Sequence, residues 1–143
     1  MDIKQKNTDT LNQSDYEALA ELRYALRQFT AFSESAAKEA GLPAQQHQAL
    51  LAIRGWPQGQ ALSIGALAER LLIAPHTATE LVDRLVEAGL VKRTADPSDR
   101  RRHVLKLTEK SEMVLARLSK VHLQEIRDMA PRLKSVLEAL VNP

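Results

Sequence analysis

Residues 63–108 limit the fold more than any other stretch of this chain. They read as a short helix, a turn, a second helix and a two-stranded ribbon whose tip is Asp96-Pro97-Ser98-Asp99-Arg100-Arg101-Arg102-His103. Ser63 suits the N-cap of the first helix, which runs from Ile64 to Leu71 with Leu67, Ala68 and Leu71 inward. Leu72-Ile73-Ala74 makes the turn. Pro75 then suits the first position of the next helix, because its missing N–H has no helical partner there. That helix extends to about Ala88, and Gly89 closes it. Its inner face is Ala78, Leu81, Val82 and Leu85; its outer face is His76, Thr77, Thr79, Glu80, Asp83 and Arg84. The ribbon strands are expected at Leu90–Thr94 and Arg102–Leu107. Val104, Leu105 and Leu107 break strict alternation, so a twist or bulge is expected beside them.

Two short helices joined by three residues match helix-turn-helix geometry. The second helix then enters a major groove only if its outer side chains are small or polar, and they are. Thr77 and Thr79 can bond base edges or phosphates and touch a thymine methyl. His76 can donate to a phosphate at the helix N-terminus, Glu80 can accept from a cytosine amine, and Arg84 either meets phosphate or pairs with Glu80. In the ribbon, Asp99 can orient the Arg101 guanidinium as a bidentate pair, which makes Arg101 the candidate for minor-groove insertion. Arg100 and Arg102 serve phosphates or face solvent.

Charge is informative by its location. The formal net charge is only +2. Yet Lys92, Arg93, Arg100, Arg101, Arg102 and Lys106 crowd one segment against Asp96 and Asp99. A local basic patch is the footprint of a phosphate contact. A charged, solvated hairpin tip is the alternative.

The flanks are helical. Leu19, Leu22, Ala25, Leu26, Phe29 and Phe32 place one apolar stripe on residues 15–40, with Ser14 as N-cap, Glu17 as its box partner and Gly41 as terminator. Pro43 opens a second helix carrying Ala49, Leu50 and Ile53. After Thr108-Glu109 a further stripe runs through Met113, Val114, Leu118, Val121, Leu123 and Ile126. Pro131 interrupts it before a final helix with Leu133, Val136, Leu137 and Leu140. These stripes exceed the need of one small core, which points to a two-fold interface between copies. With two Phe, two Tyr and one Trp, the core must be aliphatic. The fold class expected is mainly α with a small β-wing.

Other functions find little support. There is no cysteine, hence no disulfide, thiol sensor or thiolate metal site. No glycine-rich phosphate loop and no close His/carboxylate motif is present, so an enzyme is not expected. His47, His76, His103 and His122 are isolated in the sequence. No cofactor or metal is expected. Residues 1–12 read as polar and loosely ordered, with Ile3 and Leu11 able to dock on a neighbour; no apolar signal segment appears among them. With no apolar run near the ~20 residues a bilayer needs, a cytoplasmic location and no membrane partner are expected.

Several motifs together resemble the MarR family of winged helix-turn-helix transcriptional regulators. They are Leu67-Ala68-Glu69-Arg70-Leu71, Pro75-His76-Thr77-Ala78-Thr79, Leu85-Val86-Glu87-Ala88-Gly89-Leu90-Val91-Lys92-Arg93, Asp96-Pro97-Ser98-Asp99-Arg100-Arg101 and Leu107-Thr108-Glu109-Lys110. The resemblance implies one MarR-like domain over 1–143, with a DNA-binding lobe at 61–108 and dimerisation helices at 15–40 and 109–141. It implies a homodimer on double-stranded pseudo-palindromic operator DNA, repressing transcription until a small aromatic or phenolic effector releases it. His76 to Arg84 would read the major groove, and Arg101, held by Asp99, the minor groove. Tyr24, Arg27, His47 and Trp56 are the places to look for the effector, although ordinary surface or interface roles suit each as well. A winged-helix protein-interaction module without DNA binding is the competing function. Three positions depart from the family pattern: Ala74 replaces a common serine cap, Pro43 a threonine, and Ser111 a glycine, the last expected to tighten the final helix.

Overall fold

The computed structural model describes residues 10–142, the side chains of Arg100 and Arg102 excepted. In chain order the described residues form α1 (Gln13–Glu39), α2 (Ala44–Arg54), α3 (Ile64–Leu71), α4 (Pro75–Glu87), β1 (Val91–Asp96), β2 (Asp99–Leu107) and α5 (Glu109–Val141). The two strands pair antiparallel in one sheet. This is the mainly helical, β-winged architecture that the periodicity predicts.

Helix ends follow local chemistry, with one correction. The cap of α1 is Asn12, two residues before the expected Ser14. Its Oδ1 accepts from the Asp15 N–H at 3.0 Å, and Asp15 Oδ2 accepts from the Asn12 N–H at 3.0 Å. This reciprocal pair satisfies two donors of the first turn, and Ser14 only donates to Asn12 Oδ1 at 2.5 Å. At the other end Gly41 takes φ +81°, and the Leu42 N–H reaches back to the Ala37 carbonyl at 2.9 Å. Leu42 and Ala37 are both buried, so the same bond that ends the helix turns an apolar residue inward. Pro43 is the N-cap of α2, without a side-chain bond.

Pro131 does not end a helix. Helix α5 is continuous through it, where the sequence suggests two segments. Pro131 and Arg127 are exposed, so the Arg127 carbonyl that loses its N–H partner can be hydrated instead. Keeping the helix leaves the buried Val136 on the side that began upstream. Ile3 lies outside the described residues, and Leu11 is exposed.

The contacts divide the chain into two compact units, and the division runs through both long helices. One unit spans Glu34–Lys120. Its core joins all the elements of that span: Leu50, Leu67, Val82 and Leu85 are fully buried, with Leu90, Val91 and Leu105 from the hairpin and Leu115 and Leu118 from α5 around them. The other unit takes the described residues up to Ser33 and from Val121 onward. There His122 lies edge-on to Phe29 and Phe32, at centroid distances of 6.0 and 5.4 Å, and its Nε2 meets Ser33 Oγ at 2.8 Å. Arg132 bonds Gln28 and Glu21 and lies over the Tyr24 ring. Leu19, Leu26, Val121, Leu123, Ile126 and Leu137 remain exposed in this unit, although all are large and apolar.

Candidate nucleic-acid interface

Helix α3 starts as expected at Ser63, whose Oγ accepts from the Ala66 N–H at 3.1 Å. It ends on Leu72 in the left-handed conformation, φ 57°, ψ 43°. The Ile73 N–H reaches the Ala68 carbonyl and the Leu72 N–H the Glu69 carbonyl, the same closure that Gly41 and Gly89 make elsewhere. Leu72 therefore occupies a position that suits glycine, and its side chain is 91% exposed. The turn then aims α4. Pro75 is its first residue, and Ala74 has N-cap dihedrals but offers no side-chain bond.

The inner face of α4 is Ala78, Leu81, Val82 and Leu85, all buried as the pattern predicts. His76, Thr79, Glu80, Asp83 and Arg84 are exposed; Thr77, expected outside, is half-buried. Thr79 Oγ1 donates to the Pro75 carbonyl at 3.1 Å, so its hydroxyl proton is used within the helix and its oxygen and methyl face outward. No ion pair joins Glu80 to Arg84 among the described residues. The acid on this face that finds a cation is Asp83, which pairs with Arg93 of β1.

The hairpin differs from expectation where the arginines lie. Val91 to Ala95 face Leu107 to His103 in steady register, and the next pair is Asp96 with Asp99. Arg100, Arg101 and Arg102 therefore have no opposite residues on β1. The expected irregularity is real, but it sits at the tip rather than beside Val104–Leu107, and both strands run closer to the tip than expected. Two carboxylates account for it. Asp96 is buried, at 6% exposure, and accepts from the Ser98 N–H at 2.9 Å and Oγ at 2.8 Å, which folds the turn. Asp99 Oδ1 accepts from the backbone N–H of Arg101 at 3.0 Å. That contact replaces the expected bidentate pair. Asp99 sets the backbone path at Arg101, and the Arg101 side chain stays exposed. The side chains of Arg100 and Arg102 lie outside the described residues.

A hydroxyl clasp fixes the base of the hairpin. Ser111 is fully buried; its Oγ donates to the Leu90 carbonyl at 2.6 Å and accepts from the Thr108 N–H at 3.0 Å. Thr108 Oγ1 donates to the Gly89 carbonyl at 2.7 Å. Ser111 thus completes the cap of α5 and ties it to the strand entering the hairpin. Lys110 Nζ adds a 3.4 Å contact to the Ala88 carbonyl at the end of α4.

The four effector candidates are divided between the two units. Tyr24 and Arg27 are exposed residues of the unit that contains Phe29 and His122. His47 is buried and Trp56 half-buried in the Glu34–Lys120 unit, where Arg70 lies 5.2 Å over the Trp56 ring. Trp56 lines a cleft of about 710 Å³ with Ile53, Leu62, Leu105 and the Asp96–Ser98 turn; His47 does not reach it. At its edge Arg54 and Glu112 pair at 3.0 Å. Sequence reasoning missed the Arg93 partner of Asp83 and the bonds of Ser111. The Arg93–Asp83 pair and the bond from Ser111 to the Leu90 carbonyl have no sequence signal, because only chain reversal brings those residues together. Among the described residues no cluster of metal-ligating side chains occurs, and no helix is long and apolar enough to cross a membrane.

A helix-turn-helix followed by an antiparallel hairpin defines a winged helix. Residues 40–102 match the sequence profile of the MarR family. An uncharacterised HTH-type transcriptional regulator of Bacillus subtilis, YsmB, is 32% identical over 68 residues, 48% of this chain and 47% of the relative. The chain thus spans about half the length of the curated relatives it matches. The transcriptional repressor CouR bound to a 23-mer DNA duplex superposes with a TM-score of 0.63 at 28% identity, covering 85% of this chain and 89% of that one. CouR from Rhodococcus jostii RHA1 bound to p-coumaroyl-CoA superposes at 0.64 with 22% identity, over 85% and 90%. Over residues 40–102 the chain is similar to the MarR family.

Proposed function

We propose that this chain is a sequence-specific double-stranded DNA-binding transcriptional regulator, acting as a repressor that a small ligand releases. The observation that carries this reading is the exposed polar face of α4 in one unit with a hairpin whose three successive arginines fall out of strand register. His76, Thr77, Thr79, Glu80 and Arg84 are the major-groove residues. Arg101 enters the minor groove on a backbone held by Asp99, with Arg100 and Arg102 toward the phosphates. The duplex bound by CouR and the regulator name of the relative support the same reading.

The protein acts as a homodimer. Leu19, Leu26, Val121, Leu123, Ile126 and Leu137 expose apolar surface that a second copy would cover. A two-fold dimer calls for a pseudo-palindromic operator with half-sites about one helical turn apart. The domain assignment follows: 61–108 is the DNA-binding lobe, and 15–40 with 109–141 form the dimer, in the cytoplasm. An aromatic or phenolic effector is supported by the coumaroyl ligand of CouR and by Trp56 in the cleft beside the hairpin.

The test is selection of bound duplexes from genomic fragments, followed by titration of the selected site. Arg101→Ala should weaken that site by roughly 1–3 kcal/mol with melting temperature and dimer mass unchanged. Binding should also fall steeply with salt. Equal affinity of the variant removes Arg101 from its role. No binding to any duplex at low salt makes the chain a winged-helix interaction module instead.

A further inference from the structure

Asp83 lies on the outer face of α4, one turn beyond Thr79, where an unpaired carboxylate would repel phosphates. Arg93 stands on β1 midway between the hairpin base at Val91 and the register shift after Ala95. The Arg93 guanidinium pairs with Asp83 Oδ1. Arg54 also pairs with Glu112 and Arg132 with Glu21, away from α4 and the hairpin. Asp83 to Arg93 is thus a charged link between the helix that would fill the groove and the hairpin that carries the arginines.

Resting on the DNA-binding reading above, we infer that Arg93 is a positioning residue: through Asp83 it sets the hairpin against α4, so that the Arg100–Arg102 loop and the helix meet one duplex together. The guanidinium is occupied by the carboxylate and is not a phosphate contact. The same pairing removes the repulsion that Asp83 would otherwise exert. Half-exposed side chains make the link weak as a stability element, and its effect falls on geometry instead.

The experiment uses the intact chain and a duplex selected by the wild type. Asp83→Asn and Arg93→Met should each weaken binding about tenfold, with the double variant no weaker than either, as expected for two residues acting through one contact. The charge-exchanged pair Asp83→Arg with Arg93→Asp should recover most of the loss. The slope of affinity against salt should stay at the wild-type value, whereas loss of a phosphate contact lowers it by about one. Unchanged or tighter binding by Asp83→Asn, multiplied losses in the double variant, or a lowered slope for Arg93→Met would overturn the assignment.

A DNA-free readout separates this idea from the functional reading. The chain has no cysteine, so spin labels at Glu69→Cys and His103→Cys, diluted with excess unlabelled chain so that an assembly holds one labelled copy, report the α3-to-hairpin distance. Arg93→Met should broaden that distribution and the exchanged pair should narrow it again. A distribution as narrow as the wild type in Arg93→Met refutes the positioning role even if no duplex is ever found. Failure of the wild type to bind DNA refutes the functional reading only.

Discussion

Replacing Ser111 by alanine removes one oxygen atom and all the hydrogen bonds of the Oγ from a site with no access to solvent. The Leu90 carbonyl loses its 2.6 Å donor, and the Thr108 N–H loses its 3.0 Å acceptor. Water cannot substitute, since Ser111 is 0% exposed. A buried group left without its partner costs about 1–3 kcal/mol. Two facts reduce the total. The Thr108 N–H retains a long contact of 3.4 Å to the Leu90 carbonyl, and alanine favours a helix over serine by roughly 0.5 kcal/mol. The net expectation is a loss of about 2 kcal/mol. For a chain of this size that is about 4–8 °C in melting temperature. Thermal and urea unfolding should be measured at one fixed protein concentration, because self-association shifts both. Ser35→Ala, on an exposed face of α1, is the control and should stay within about 0.5 kcal/mol of wild type. If Ser111→Ala moves no further than Ser35→Ala, the clasp does not hold the hairpin base and the reasoning fails.

Two further substitutions should stabilise the lobe. Leu72→Gly removes a Cβ from a left-handed residue, a strain of about 1–2 kcal/mol, at an entropic cost of about 0.5–1 kcal/mol. The urea midpoint should rise by a small amount, and Leu72→Ala, which keeps the Cβ, should not raise it. Ala74→Ser places an acceptor at an N-cap whose φ −66°, ψ 148° already suit it, facing the free first-turn N–H groups of α4. It should add about 1 kcal/mol in the same assay, and no gain would mean that those donors are already satisfied.

Much of the site was legible because local rules wrote it. Ser63, Gly41, Gly89 and Pro75 act through bonds to residues within five positions, and the buried face of α4 follows its 3.6-residue period. Two local readings lost to competitors equally local. Ser14 with Glu17 matches a capping box and Asn12 with Asp15 resembles one, and the chain uses the second. Pro131 is a helix breaker by rule, yet it and Arg127 lie on an exposed face and the helix continues. The hairpin was legible as a basic tip but not in its register. Whether three arginines fall out of the ladder depends on Asp96 being buried by its neighbours and on Asp99 taking a backbone N–H, and neither is a property of residue type.

From the order of its residues alone, this chain is bound to a helix, a turn, a second helix with one apolar and one polar face, and a hairpin ending in arginines. Those outcomes rest on backbone dihedrals, caps and period, which act over a few residues and need no distant partner. Tertiary structure decided the rest: that Arg93 reaches Asp83, that Ser111 closes under Leu90, and that the candidate effector residues fall in two separate units. Such pairings require loop closure between distant positions, so their energy exists only once the whole core has formed.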